Sequence, residues 1–291
     1  MNIKEPSSHK NLEPENSTLY IVGTPIGNLG DISIRSLNIL KNVSYIACED
    51  TRQTRKLINR FDFKNKLISF HKHNSLKKIP AIINDLKSGK SVAVVSDGGM
   101  PSICDPGEDL VRSAKLIGIK IICIPGPCAA LTALVASGMP SSKFIFEGFL
   151  PKKKIEREKI LFEISNNEKT TILFESPHRL KKLLNELREL LGEEREIQIS
   201  RELTKKFEEH IGNNVNDVID FFRDKKVIGE ITILIQGKSK LNREKVFDKI
   251  ELKKELSDLI DAGISLSQAS KYLAKKKNLP KRIIYNINKN L

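Results

Sequence analysis

Leu19-Tyr20-Ile21-Val22-Gly23-Thr24-Pro25-Ile26-Gly27-Asn28-Leu29-Gly30 sets a short apolar run, which reads as a strand, directly against a glycine-rich corner. Its last three glycines stand four and three residues apart, at positions 23, 27 and 30. That spacing is not G-x-G-x-x-G, and no Walker phosphate loop occurs anywhere in the chain. A nucleotide phosphate is therefore not the expected ligand, and an ordinary dinucleotide fold loses support. Outward from this stretch, short apolar runs alternate with helix-period segments as far as Gln236. The runs fall at residues 19–22, 43–48, 67–70, 92–96, 120–124, 144–147, 170–175, 196–200 and 230–236. Between them, Ile79, Ile82, Ile83 and Leu86 form one helical stripe, and Leu180, Leu183, Leu184, Leu187, Leu190 and Leu191 extend another over three turns. Such alternation predicts an α/β chain with mainly parallel sheets. A Gly-Met-Pro-Ser-Ser run at residues 138–142 separates two such halves, so two α/β domains, residues 18–138 and 139–237, are expected with a cleft between them.

After Gln236 only helical patterns remain. Leu252, Leu256, Leu259 and Ile260 stripe a first helix, Gly263 is placed to end it in the left-handed conformation, and Ser265 with Gln268 forms a capping box for a second. Pro280 opens a third carrying Ile283, Ile284 and Ile287. Residues 238–291 thus read as a small all-α module of helix-turn-helix type, with Lys275, Lys276, Lys281 and Arg282 as a basic edge for nucleic acid. A helical bundle with a solvated lysine face is the alternative. The module holds 14 basic and 6 acidic residues, a net charge of +8 out of +14 for the 291-residue chain. Lys, Ile and Asn are abundant throughout, so the location of the charge says more than its total, and it favours a polyanionic partner.

Hydrophobic content is 39% and charged content 30%, ordinary for a soluble globular protein. The most apolar stretch, residues 117–139, is broken by Lys120, Pro125, Gly126 and Pro127, so no membrane span is expected. Residues 1–17 are polar, contain Pro6 and Pro14, and lack the apolar middle of a signal peptide; a disordered tail and a cytoplasmic location are expected. Cys48, Cys104, Cys123 and Cys128 form no C-x-x-C pair, and three of them lie in runs suited to a reduced interior. His71 and His73 find no further ligands at metal spacing, so neither disulfides nor a metal site is expected.

Chemistry is expected at strand ends, where loops and helix N-termini converge. Residues 96–107 place Asp97, Gly98, Gly99 and Met100 after one strand, and residues 125–130 place Pro125, Gly126, Pro127, Cys128 and Ala129 after another. With the Gly23 corner, they describe a cradle of bare backbone with few charged groups. The second half carries charge instead. Lys152, Lys153, Lys154 and Arg157 open a helix; Ser176 and Pro177 fit a helix start, holding Glu175, His178 and Arg179 at one corner; residues 201–205 and 49–55 follow strands in the same way. Either exposed ion pairs or a polyanion crossing a cleft accounts for these clusters.

The segments TPIGNLGDIS (24–33), EDTRQTRKL (49–57), SDGGMPSICDPG (96–107), PGPCAALTAL (125–134), FEGFLPKK (146–153), FESPHR (174–179) and RELTKKFEE (201–209) together resemble the class III S-adenosylmethionine-dependent methyltransferases of the tetrapyrrole methylase type. Within them the chain is similar to the group that methylates small-subunit ribosomal RNA. The likeness spans residues 18–237 and extends to that group's helix-turn-helix tail. Where the group usually shows S-D-A-G-T-P this chain has Gly98 and Met100, and Cys104 stands where the group has Ser.

The resemblance implies two α/β domains of the tetrapyrrole methylase type with the cofactor cleft between them. It also implies 2′-O-methylation of a cytidine (cytidine 1402) in 16S small-subunit ribosomal RNA, with S-adenosylmethionine as cofactor. The substrate is then the RNA or the 30S particle, and the assembly a homodimer. Carried over residue by residue, cofactor contacts fall to Pro25, Ile26, Asp97, Gly99, Met100, Cys128, Ala129, Phe174 and Leu203. RNA contacts fall to Arg52, Arg55, Lys152, Lys153, Arg179, Arg201, Lys205 and the basic edge of the tail. For the reacting hydroxyl, Glu175, Glu49 or Asp50 is a candidate acceptor and Lys205 a candidate cation for the developing oxyanion, with His178 more often structural at such a position. Two alternatives stay open: the same fold acting on a tetrapyrrole or a protein side chain, and a non-catalytic RNA-binding assembly factor.

Overall fold

Five apolar runs of the first half pair side by side in one all-parallel sheet. The computed structural model describes residues 13–238, 249–277 and 284–285. In chain order the first sheet and its helices are β1 (Thr18–Val22), α1 (Ile34–Asn42), β2 (Tyr45–Cys48), α2 (Thr51–Arg60), β3 (Leu67–Ser69), α3 (Ser75–Lys87), β4 (Val92–Val95), α4 (Glu108–Leu116) and β5 (Lys120–Ile124). The strand order is β3-β2-β4-β1-β5, with every pairing parallel. Separate apolar clusters fill its two faces: Tyr20, Val22, Ile46, Ala93 and Val95 belong to one, Leu19, Ile21, Tyr45, Val92 and Val94 to the other. Successive residues of a strand point to opposite faces, so both faces are covered, as a parallel sheet requires.

The second half follows as α5 (Ala129–Ser137), β6 (Phe144–Phe149), α6 (Lys154–Asn166), β7 (Thr170–Glu175), α7 (Pro177–Leu191), β8 (Ile197–Arg201), β9 (Glu209–Gly212), α8 (Val215–Phe222) and β10 (Ile231–Ile235). Its sheet has the order β6-β7-β10-β8-β9. Only β6 and β7 pair in parallel; β10 runs antiparallel to both β7 and β8, and β9 antiparallel to β8. The expectation of mainly parallel sheets thus fails here. A strand from residue 230 onward can enter the gap between β7 and β8 in either direction, and hydrophobic patterning does not encode which. Strand β9 was not foreseen, since Glu209-His210-Ile211-Gly212 offers one apolar side chain at a sheet edge. The α7 stripe lies as expected: Leu180, Leu183, Leu184 and Leu187 are buried against this sheet's core. Each contributes about 1.5–3 kcal/mol of apolar burial. Helix α5 also packs on this sheet, with Ala130, Ala133 and Leu134 against Ile172 and Leu234.

Residues 13–17, placed by sequence in a disordered tail, are held. Glu13 pairs with Arg35 at 2.6 Å, Glu15 pairs with Lys120 at 2.6 Å, and the Glu15 amide donates to the Tyr20 hydroxyl. Residues 1–12 lie outside the described residues. Among the four cysteines, all free, only Cys48 is buried; Cys104 and Cys123 are exposed, against the expectation of an interior setting. Their runs border sheet-edge and loop positions, where an apolar sequence does not imply burial.

The chain divides into two units, residues 1–237 and 238–291. In the second, α9 (Lys249–Asp261) and α10 (Leu266–Lys277) bury Leu252, Leu256, Ala269 and Leu273, joined by Ile284. Gly263 has φ +86°, and the Gln268 amide donates to the Ser265 hydroxyl at 3.4 Å, as the end and start signals predict. Pro280, Ile283 and Ile287 lie outside the described residues. Among the described residues no helix is long and apolar enough to cross a membrane, and no group of His, Cys, Asp or Glu has the makings of a metal site.

Candidate functional site

The ends of β1, β4 and β5 meet at the expected corners, where backbone and the Met100 sulfur fill the space between them. Gly23 and Gly126 abut: a Cβ on Gly126 would lie 2.7 Å from the Gly23 Cα. Thr24 and Gly99 exchange backbone hydrogen bonds of 2.9 and 3.0 Å, tying the first corner to the second. Gly99 has φ +88°, a conformation open to glycine at no steric cost.

These corners face the second sheet across a cleft of about 730 Å³. All nine residues assigned to the cofactor by sequence line it: Pro25, Ile26, Asp97, Gly99, Met100, Cys128, Ala129, Phe174 and Leu203. The two halves touch beside it. The Asn28 amide donates to the Thr204 hydroxyl at 3.0 Å, and a Cβ on Gly27 would lie 2.5 Å from the Lys205 Cγ and 3.0 Å from the Leu203 carbonyl oxygen. At the other end a bulge in β6 brings Gly148, at φ +64°, against the Cys104 sulfur. The Phe149 and Phe174 rings, 5.6 Å apart, both line the cleft and give it an apolar wall.

Loop 202–205 is strained. Glu202 and Thr204 have φ of +54° and +66°, the latter an outlier for a β-branched residue. The surroundings over-determine it: the Glu202 amide donates to the Glu230 oxygen, the Glu202 carboxylate accepts from the Glu230 amide, and the Thr204 amide donates to Glu208. Strain held in this way at a cleft is a mark of a functional loop.

Of the catalytic candidates, Lys205 and Glu175 line the cleft and Glu49 does not. The Lys205 ammonium is held between Glu202 and Glu230 at 2.9 and 3.0 Å; burial pulls its pKa down, and these two bonds more than offset that, leaving it raised. Glu175 has a fully buried side chain inside an ion cluster. Its Oε1 accepts from the Ser176 amide and forms an ion pair with Arg179 Nε at 3.2 Å, and its Oε2 lies 3.7 Å from a buried Arg157 nitrogen, neither of that last pair having a hydrogen-bond partner. Arg157 is fixed in turn by Glu186 at 2.7 Å. Glu175 therefore anchors the β7–α7 corner. Glu49 belongs to a group of carboxyls at the ends of β2 and β4. Burial pushes up Glu49, with the Asp97 charge adding to it; burial likewise raises Asp97, whose Oδ1 accepts from the Asp50 amide. Asp105, a cleft residue, is pushed up to about 6, chiefly by burial and then by the Glu49 charge.

Of the residues assigned to RNA in the first unit, Lys205 lines the cleft and the other six do not. Arg179 is taken up by Glu175 and the Leu150 carbonyl, and Arg201 by Glu209 and the Ile228 carbonyl, so both guanidiniums serve the fold. Arg52 pairs with Asp50 and Lys153 with Glu156, though both stay exposed, as do Arg55 and Lys152. His178 and Lys275 are exposed, and Lys276 pairs with Glu255. Lys281 and Arg282 lie outside the described residues.

The cleft also holds residues that sequence reasoning missed: Asp105, Gln53, Phe149, and the start of β10 at Glu230, Ile231 and Thr232. The last group follows from strand direction. Ile231 pairs with both Glu175 and Arg201, so the first residue of β10 lies beside the last residues of β7 and β8. In a parallel strand it would lie at the far edge.

The tetrapyrrole (corrin/porphyrin) methylase family model matches residues 18–218. A ribosomal RNA small subunit methyltransferase I from Halalkalibacterium halodurans is 42% identical over 275 residues, covering 94% of this chain and 95% of that protein. One of the same name from Thermotoga maritima is 47% identical over 220 residues, 76% of this chain and 98% of that protein. Among solved structures, a uroporphyrin-III C-methyltransferase from Thermus thermophilus complexed with S-adenyl homocysteine matches with a TM-score of 0.53 at 15% identity, covering 75% of this chain and 96% of that one. That last likeness bears on the fold alone. Sequence blocks, parallel front sheet, mixed rear sheet and family match agree: the chain belongs to the tetrapyrrole methylase family.

Proposed function

We propose that this chain is an S-adenosylmethionine-dependent methyltransferase of small-subunit ribosomal RNA, acting on the ribose 2′-hydroxyl of a cytidine. The observation that carries the proposal is the 42% identity to a ribosomal RNA small subunit methyltransferase I over nearly the whole of both chains, second unit included. The cleft fits the cofactor. Gly98 and Gly99 leave room that side chains would fill, a Cβ on Gly98 standing 3.2 Å from the Pro25 oxygen, and Asp97 offers an acceptor at its floor. When bound, S-adenosylmethionine supplies a methyl group on a positively charged sulfonium and needs neither metal nor covalent enzyme intermediate.

The chain's own task is positioning, since in-line transfer requires the ribose oxygen roughly 3 Å from the methyl carbon. The corners around Pro25, Asp97, Gly99 and Cys128 hold the donor, and Phe149 and Phe174 exclude water beside it. Lys205 stabilises negative charge growing on the ribose oxygen. Glu175 acts as a positioning residue through the β7–α7 corner, and the raised Asp105 is better placed than Glu49 to take up a proton. Arg52, Arg55, Lys152, Lys153 and the basic edge of the second unit provide phosphate contacts. A homodimer is the expected assembly, supported by Leu131 and Val135, which lie 47% and 82% exposed on the otherwise apolar α5. A ribosomal substrate implies action in the cytoplasm.

Calorimetry with S-adenosylmethionine and transfer of tritium from labelled cofactor to small-subunit particles test the reading. Binding with transfer is expected. Binding without transfer to RNA reassigns the chain to a tetrapyrrole or protein substrate, and absence of binding makes it an assembly factor.

A further inference from the structure

A second cavity of about 260 Å³ opens beside the cleft, under helix α2. Pro25, Leu29, Gln53 and Asp97 line both spaces, so the smaller one is a side chamber whose lip is also the rim of the cleft. At about 30 Å³ per water, it has room for about nine waters. That is the size class of one pyrimidine ring with its substituents, and far below what a whole cofactor needs.

Its chemistry is two-sided. Pro25, Leu29 and Leu57 give apolar walls, suited to the faces of a planar ring. The polar groups divide into committed and available ones. The Thr24 hydroxyl donates to the Ser96 oxygen and Asp97 Oδ1 accepts from the Asp50 amide, so these serve the corner itself. Gln53 Oε1 accepts from Lys56 Nζ at 3.2 Å, while the Gln53 amide nitrogen has no partner among the described residues. Gln53 thus presents two N–H donors and Lys56 two further ones. Donors beside an apolar slot match the adjacent carbonyl oxygen and unprotonated ring nitrogen that an amino-bearing pyrimidine offers as acceptors.

An enzyme that reacts at one nucleotide takes it out of the stack and reads its freed edge by hydrogen bonds. The shared lip lets a single nucleotide put its ribose over the cleft and its base into the chamber. Arg52 and Arg55, exposed on the same helix as Gln53, then stand where flanking phosphates pass.

We infer that the side chamber seats the base of the target nucleotide, an amino-bearing pyrimidine whose edge is read by Gln53 and Lys56. The inference rests on the ribosomal RNA methyltransferase reading and adds to it the place and means of base selection.

The test uses the full chain, small-subunit particles and tritium-labelled S-adenosylmethionine, with the methylated cytidine first mapped and then replaced by uridine in a second set of particles. The wild-type chain is expected to label cytidine particles at least tenfold faster than uridine particles. Gln53→Ala is expected to lower kcat/KM on cytidine particles about tenfold to a hundredfold, the range for losing a paired contact to a base edge. It should also bring the cytidine-to-uridine ratio close to one. Gln53→Glu, which removes the amide donors but keeps the size, should lower the same ratio. An unaltered ratio in both variants, or a wild-type chain indifferent to the base, overturns the chamber's role while leaving the methyltransferase reading intact. A wild-type chain that labels neither set of particles overturns both.

Discussion

Gly126→Ala offers the sharpest test of how the cleft is built. The new methyl carbon would stand 2.7 Å from the Gly23 Cα, 2.9 Å from its carbonyl carbon and 3.1 Å from its oxygen. Carbon atoms rest about 3.5–4.0 Å apart, so the two corners must separate by about 0.8 Å or more. None of the obstructing atoms is the end of a flexible side chain. Gly23 is itself tied down, donating to the Ile124 oxygen at 3.2 Å, and its neighbour Thr24 is bonded to Gly99. Overpacking of this kind costs about 1–3 kcal/mol, which lowers Tm by about 2–12 °C for a unit of this size. Separation also moves Cys128 and Ala129 away from Pro25 and Ile26 across the cleft. A shift approaching 1 Å at reacting groups costs up to about a hundredfold, so kcat/KM should fall about tenfold to a hundredfold. Differential scanning calorimetry and the tritium-transfer assay read the two effects. Gly23→Ala meets the same backbone from the other side and the Met100 sulfur besides, at 2.7 Å each, so it should lower Tm in the same range. If Gly126→Ala keeps Tm within 1 °C and transfers at the wild-type rate, the corners do not abut and the cradle described above is wrong.

The remaining predictions concern charge. Asp105 holds its proton up to about pH 6 in the folded protein against 3.8 in the unfolded chain, so its contribution falls as pH rises from about 4 to 6 and is constant above. At face value the shift is about 3 kcal/mol, and screening of this half-buried group reduces it to about 1 kcal/mol. Asp105→Asn should therefore raise stability at pH 7 and flatten that slope in denaturant titrations at pH 4 to 7; an unchanged slope refutes the assignment. Because a sulfonium favours an ionised neighbour, cofactor affinity in the wild type should rise through pH 6, and calorimetry should find that rise lost in the same variant. Arg157→Met strips the buried Glu175 of one of its two cations and should cost about 3–5 kcal/mol in chemical denaturation; a loss below 1 kcal/mol would show the cluster to be hydrated. Removal of residues 238–291 should reduce the salt dependence of RNA binding measured by filter retention, since neutralised phosphates release counterions, while cofactor Kd stays the same. An identical salt slope excludes the second unit as an RNA contact.

The front of the cleft was legible because its chemistry is written in backbone. Gly23, Gly99 and Gly126 restrict what the chain can do at strand ends, and those restrictions show in one sequence. On the rear wall Phe174 and Leu203 were reached through the likeness of their segments to a known family rather than from patterning. Ile231 and Thr232 escaped notice because the direction of β10 is settled by which neighbours it joins, a property of no local window. Charge was the least legible. Arg179 and Arg201 sit at strand ends just as an RNA contact would, and only the positions of Glu175 and Glu209 reveal that they bind the protein itself. Gln53 stood unnoticed among charged neighbours, and Asp105 among turn residues, since neither burial nor an adjoining hollow leaves a mark on composition.

The rear sheet's central strand is also its last in the chain, so β7 and β8 have no partner between them until residues 231–235 have left the ribosome. The front sheet, complete by residue 124, is free to assemble well before that. Its late synthesis, rather than the distance in sequence between paired strands, orders the assembly of the molecule. Since Ile231 and Thr232 are part of the cleft wall, a nascent chain closes that cleft only once its last strand is in place.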